Sequence, residues 1–269
     1  MTQLPEWAPA GLDVTRPSAA RIYDYFLGGA HNFESDRQLA DHITRMTPNV
    51  AATARANRHF LRRAVTMLVG AGIRQFLDIG SGIPTVGNVH EIAAGLAPDT
   101  RVVYVDLDPV AVAQSMQLLR DNPNATALCF DLRDPRKILA EAEATGLVDL
   151  SRPLAVMLAG VLHFIPDADG PGAIVSQLRD ALVPGSYLLI SHATLDGQPP
   201  EVLEAQRLSG RTATELTLRP HAEITAYFGS FELVEPGLVY IGQWRPDPDD
   251  EPDPHPERLA GYAGVGRKG

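Results

Sequence analysis

Five apolar stretches, each followed by a segment of different periodicity, leave this chain few folds to choose from. Residues 74–79, 101–106, 125–130, 153–161 and 187–192 read as strands. The fourth is almost wholly apolar, as a strand covered on both faces must be. Residues 85–96, a stretch capped by Asp108 and opened by Pro109, residues 135–143, and the stripe Ile174, Leu178, Leu182 read as helices between them. Right-handed crossovers then force a parallel sheet with helices on both faces.

The end of the first strand is where such a sheet builds a site. Residues 76–85 run from apolar residues through Asp78, Gly80, Ser81 and Gly82 to Pro84 and Thr85, which can open a helix. Glycine serves where the backbone takes positive φ or a ligand must approach it closely. A helix start there offers free N–H groups. Asp106 closes the second strand, where a carboxylate can accept both ribose hydroxyl protons, and Asp131 follows the third. Nicotinamide dinucleotides and S-adenosylmethionine both use this layout. Thr85 stands where the dinucleotide fingerprint wants a third glycine, and Pro84 blocks close approach of a helix to a pyrophosphate. Asp131 could accept from an adenine amino group. Together these favour S-adenosylmethionine, with an NAD(P)-dependent oxidoreductase as the alternative.

The flanking segments are read as follows. Ser18 can cap a helix carrying Ile22, Tyr23, Phe26 and Leu27, stopped at Gly28-Gly29; a second short helix ends before Pro48. Residues 49–70 form a long helix with Phe60, Leu61, Ala64, Val65 and Leu68 on one stripe. Arg55, Arg58 and Arg62 share another face, which is either solvated or a clamp for a ligand carboxylate. Past the fifth strand, helical stretches are expected near 201–209 and 220–228. Residues 230–234 and 238–244, joined by Glu235-Pro236-Gly237, suggest an antiparallel hairpin that reverses the sheet's direction. The expected division is a helical lid segment over 1–72, an α/β domain over 73–245, and a disordered Pro- and Asp-rich tail over 246–269.

Composition excludes some partners. The chain has 269 residues and a net charge of −10, which repels phosphate backbones, so no nucleic acid is expected. Cys129 is the single cysteine, which suits a reducing cytoplasm, and neither a signal peptide nor an apolar run of spanning length is seen. No metal is expected: His90-Glu91 has no second histidine at helical spacing.

The run Leu77-Asp78-Ile79-Gly80-Ser81-Gly82, then Val105-Asp106, then Leu182-Val183-Pro184-Gly185-Ser186-Tyr187 resembles the class I S-adenosylmethionine-dependent methyltransferases. Blocks at 17–25, 57–60, 88–91, 161–167 and 191–194 resemble, in order, one bacterial family of S-adenosyl methyltransferases with no assigned substrate. The resemblance implies a Rossmann-like α/β fold: a seven-stranded, mostly parallel sheet with a reversed last strand and an added N-terminal helical cap. It implies S-adenosylmethionine, with S-adenosylhomocysteine as product, at the carboxyl ends of the first, second and fourth strands. Asp78, Gly80 and Gly82 would lie beside the methionine part, Asp106 at the ribose and Asp131 at the adenine, with Ser81, Leu107 and Leu132 also expected at the cofactor. Ala159 and Arg58 complete the expected cofactor set. Thr85 with Pro84 departs from the pattern, where many such enzymes show a further glycine.

If the acceptor must lose a proton, histidine is the side chain of choice. If one of them is the base, His192 is expected ahead of His163; for each, the plainer reading is a half-buried histidine bonded to a backbone carbonyl. The resemblance also implies that the N-terminal helices, with Tyr23, Tyr25, His31 and Asn32, cover the crevice and shape the acceptor pocket, although for Tyr23 packing in the helix stripe is the plainer reading. There is no Asn-Pro-Pro-Tyr-like run after the fourth strand, which steers the reading to a small-molecule acceptor. A cofactor-binding sensor or partner protein without turnover is the remaining alternative.

Overall fold

The computed structural model describes residues 8–9, 11–85, 87–198, 216–251 and 253–269; the helix expected near 201–209 lies outside them. Three helices come first: α1 (Ala19–Phe26), α2 (Glu34–Met46) and α3 (Val50–Gly70). Strands and helices then alternate as β1 (Gln75–Ile79), α4 (Val89–Leu96), β2 (Arg101–Asp106), α5 (Pro109–Leu118), β3 (Ala125–Cys129) and α6 (Pro135–Ala144). β4 (Ala155–Ala159), α7 (Pro171–Asp180), β5 (Tyr187–Ala193) and α8 (His221–Ala226) follow, then β6 (Glu232–Leu233), β7 (Val239–Tyr240) and β8 (Gly261–Arg267).

The sheet runs β3-β2-β1-β4-β5-β8-β6, with β7 also on β8. β1 to β5 are parallel, and β8 is the reversed strand, paired with β5 from Tyr187↔Arg267 to Ala193↔Gly261. Chain reversal therefore comes from the C-terminal segment, not from the expected hairpin. β6 and β7 do not pair with each other. Both lie antiparallel to β8, at Glu232↔Arg267 and at Val239↔Ala263, as two pieces of one edge interrupted at Glu235-Pro236-Gly237.

The expectation of a structureless tail over 246–269 thus fails at its most ordered part. The sequence of β8, Gly-Tyr-Ala-Gly-Val-Gly-Arg, looks like a loop because it is rich in glycine. Those glycines make room for aromatic rings. A Cβ on Gly266 would lie 2.8 Å from Phe228 and 3.0 Å from Phe231, and one on Gly264 would lie 3.2 Å from Leu238. The rings of residues preceding the edge take the space that side chains of β8 would fill.

Strand alternation sorts the side chains between two cores. Leu77, Ile79, Leu188 and Ile190 face α6, α7 and α8. Phe76, Tyr104, Met157 and Leu189 face α3 and α4, where Phe60, Leu61, Ala64, Val65 and Leu68 form the expected buried stripe. Burying each of the larger residues stabilises the fold by about 1.5–3 kcal/mol. The same alternation puts Asp78, Asp106 and Ser191 on the α3 face and His192 on the other.

Two local expectations are corrected. α4 opens at Val89 rather than Thr85, because Asn88 and Glu91 form a capping box and the Asn88 amide oxygen also accepts from Thr85 N at 3.1 Å. Ser18 stands at the N-cap of α1 without a side-chain cap bond; instead its N–H donates to Asp36 at 2.9 Å.

Candidate active site

At the carboxyl ends of β1, β2, β4 and β5, beneath α1 and the first turns of α3, lies a cavity of about 770 Å³. Its floor is the loop after β1. Gly80 and Gly82 take φ of 75° and 68°, and a Cβ on Gly80 would meet the Val161 side chain at 2.4 Å. Only glycine fits there, so backbone rather than side chain faces the cavity. Asp106 braces this loop: its carboxylate accepts from Gly82 N at 2.7 Å and Asp108 N at 2.8 Å. Asp108 caps α5 through Val110 N, as its sequence position suggests.

Two acids share the site, Asp78 buried and Asp106 half-buried. Asp78 is 4% exposed, and burial pushes its carboxyl up to about 7; Arg58 pulls it back and Asp106 pushes it further. Burial also raises Asp106, opposed by its hydrogen bonds from Asp108 and Gly82. Arg58 reaches in from α3, with Nη2 on the Gly87 carbonyl at 2.8 Å. Of the three arginines on that helix face, only Arg58 lines the cavity; Arg55 is exposed, and Arg62 pairs with Asp247 at the surface.

Ser81, Leu107, Asp131, Leu132 and Ala159 also line the cavity, so every residue expected at the cofactor meets in one space. The Asp131 carboxylate is already held by Arg133, at 2.9 Å from its N–H and 3.1 Å from its guanidinium. The N-terminal segment folds over this end. Leu12, Ala20 and Phe33 pack on Ile83, Val110 and Ala111, and buried Arg21 joins Asp36 at 3.0 Å and approaches Asp108 at 3.9 Å.

The histidines also reach the cavity, and His192 takes the plainer of the two roles open to it, bonded to a backbone carbonyl. His192 Nδ1 lies 2.7 Å from its neighbour's carbonyl, Ala193 O, and Nε2 lies 3.0 Å from Nη1 of Arg219. A carbonyl only accepts and a guanidinium only donates, so the ring is neutral with its proton on Nδ1. Burial, then Arg219, lower its pKa to about 4, against the Ala193 hydrogen bond that raises it. The expected base therefore has no free lone pair. This corrects the preference for His192 over His163.

Of the acceptor-pocket candidates, Tyr23 alone lines the cavity. Its hydroxyl donates to Ala54 O at 3.0 Å and accepts from Asn57 Nδ2 at 3.1 Å, while Ser191 Oγ donates to Asn57 Oδ1 at 2.6 Å. That chain ties α1, α3 and β5 together. Tyr25 instead bonds Asp41 at 3.0 Å. His31 N and Asn32 Nδ2 both donate to Asp24 Oδ2, which shapes the corner after α1. A Cβ on Gly29 would fall 2.0 Å from that carboxylate. His31 and Asn32 build the corner, Tyr25 joins α1 to α2, and none of the three lines the cavity.

Asn57 and Arg219 are the residues that sequence reasoning missed. Asn57 stands in one of the family-like blocks, which is a signal for it. Arg219, 2% exposed, precedes Pro220 in a stretch without periodicity, and nothing local marks it. No group of three or more metal-ligating side chains occurs among the described residues, and no helix there is long and apolar enough to cross a membrane.

The model of a family described as S-adenosyl methyltransferase matches residues 5–269. The chain belongs to the S-adenosyl methyltransferase family. Two similar structures agree. One is a candidate methyltransferase from Thermobifida fusca YX, 44% identical over 98% of this chain and 99% of that one, at a TM-score of 0.90. The other is a DUF574 family protein from Streptomyces avermitilis MA-4680, 41% identical over 94% and 98%, at a TM-score of 0.88. The N,N-8-amino-8-demethyl-D-riboflavin dimethyltransferase from Streptomyces davawensis is 20% identical over 94% and 62%, at a TM-score of 0.50, and shares the fold alone. No curated protein matches the chain. The cofactor of this methyltransferase is S-adenosylmethionine, and the cavity offers bare backbone at Gly80 and Gly82 beside the carboxyls of Asp78 and Asp106.

Proposed function

We propose that this methyltransferase moves a methyl group from S-adenosylmethionine to a small-molecule acceptor by in-line displacement. One observation carries the reading. The cofactor-side residues and the histidines at the ends of β4 and β5 line a single cavity of about 770 Å³, within the usual size of small-ligand sites of about 300–1,000 Å³. Asp106 would hold the ribose hydroxyls, and the Gly80–Gly82 backbone with Asp78 and Arg58 the methionine end. Leu107, Asp131 and Leu132 would flank the adenine. The methyl of a sulfonium is already activated, so the protein has to orient an acceptor and exclude water. Orientation of that kind is worth about 7–11 kcal/mol of barrier when complete. The N-terminal helices serve as the lid: Tyr23, tied through Asn57 to Ser191, fixes α1 above the ends of β4 and β5.

The test is a screen of small phenols, amines and thiols with the purified protein and S-adenosylmethionine, reading S-adenosylhomocysteine. Release above the acceptor-free rate supports turnover. Tight cofactor binding with no release across the panel would favour a sensor.

A further inference from the structure

The two histidines constrain which acceptor this site can serve, an inference that rests on the methyl-transfer reading above. His192 is fixed as a neutral Nδ1–H ring by Ala193 O and Arg219. Arg219 is itself fixed by the carbonyls of Leu162 and Ile165 and by two contacts to Asp167, at 2.6 and 3.2 Å. It is a positioning residue, and it brings a buried positive charge whose carboxylate partner is 76% exposed. His163 lies against His192, ring centroids 5.5 Å apart. Its Nδ1 accepts from the backbone N–H of Ala193 at 3.4 Å. Burial, with His192 and Arg219 beside it, holds its pKa well below the usual value. The ring is therefore neutral with its proton on Nε2, and among the described residues Nε2 has no hydrogen-bond partner.

The other polar groups near it are taken. Ser191 donates to Asn57, and Tyr23 lies between Asn57 and Ala54 O. Asp78 lines the same cavity, but at the cofactor end beside Gly80 and Gly82, with Arg58 offsetting its charge. The walls on the acceptor side are apolar, among them Ile22, Phe26, Ile43, Phe164 and Ile241. Among the described residues, the histidine end of the cavity offers one free N–H donor with a positive field behind it, and neither ring there is free to act as a base.

We propose that the acceptor is an apolar molecule with an acidic hydroxyl, a phenol or an enol, bound as its oxyanion on the Nε2–H of His163. A donor aimed at a neutral amine would occupy the single lone pair that must attack, whereas an oxyanion has pairs to spare. The hydroxyl proton goes to solvent on binding. The acceptor oxygen forms the bond to the methyl carbon, and the electron pair of the broken carbon–sulfur bond stays on sulfur, leaving a neutral thioether. No proton passes through the protein.

The test reads ionisation directly. Para-nitrophenol is titrated into the protein saturated with S-adenosylhomocysteine, and its yellow phenolate band is followed against pH. The bound probe should ionise more readily than the free probe, by about tenfold in its constant. The gain should vanish in His163→Ala and persist in His163→Gln, whose amide keeps a donor. An unchanged or weakened acidity, no binding of the probe, tighter binding of para-nitroaniline, or a shift that survives His163→Ala overturns the proposal. Nitrogen NMR of histidine-labelled wild type checks the rings without any variant. His163 should carry its proton on Nε2 and His192 on Nδ1 at about pH 7, and a titration of either between about pH 6 and pH 8 overturns it as well. If S-adenosylhomocysteine itself does not bind, the methyl-transfer reading falls; if it binds and the probe fails, only this inference does.

Discussion

The carboxyls of Asp78, buried, and Asp106, half-buried, do different work. Asp106 has two backbone N–H partners and would add ribose hydroxyls to them. Asp106→Ala should weaken S-adenosylhomocysteine binding by about 1.5–3 kcal/mol in calorimetry, the range for hydrogen bonds to a charged group. Unchanged affinity would put the sugar elsewhere. Asp78 should make binding depend on pH. Its folded pKa, raised to about 7, lies above the unfolded value of about 3.9, so the folded protein holds the extra proton. The stability this brings is fully present below about pH 4 and is lost as pH rises to about 7. A cationic ligand needs the ionised form, so S-adenosylmethionine should bind more tightly as pH climbs from about 6 to 8, with proton release seen as a buffer-dependent calorimetric enthalpy. Asp78→Asn should flatten that profile, and an unaltered profile would assign the proton to another group.

At the scale of elements, β8 and the edge it carries decide whether the sheet is complete. Gly266 has Phe228 and Phe231 where a side chain would go. Gly266→Ala should cost about 1–3 kcal/mol by overpacking, measured as a lower urea midpoint with unchanged slope. A fully stable variant would mean the rings move aside freely. This is also where local reading fails. Strand propensity judges a segment by its own side chains, whereas β8 is a strand because β5 needs a partner and because Phe228, Phe231 and Leu238 fill its bare face. The hairpin misreading follows from the same cause: two apolar runs with a short link pair with each other unless a third strand pairs with both.

At the scale of the molecule, the N-terminal helices, the loop after β1 and the reversed strand enclose one space. Ligand that fills it should stabilise the whole fold. S-adenosylhomocysteine at about a hundred times its dissociation constant should add about 2.7 kcal/mol, read as a rise in melting temperature, with no comparable rise for NAD. A rise with NAD alone would overturn the cofactor assignment at its root.

The sequence by itself determined the parallel sheet, the glycine loop and the acids at Asp78 and Asp106, because strand period, turn chemistry and strand-end position are local properties read within a few residues. Only the tertiary structure decided that residues 261–267 close the sheet, that His31 and Asn32 serve Asp24, and that Arg219 silences His192. Each of those depends on a partner 7 to 70 or more residues away, such as Tyr187↔Arg267 or Arg219 on His192, and no local pattern encodes which distant group will arrive.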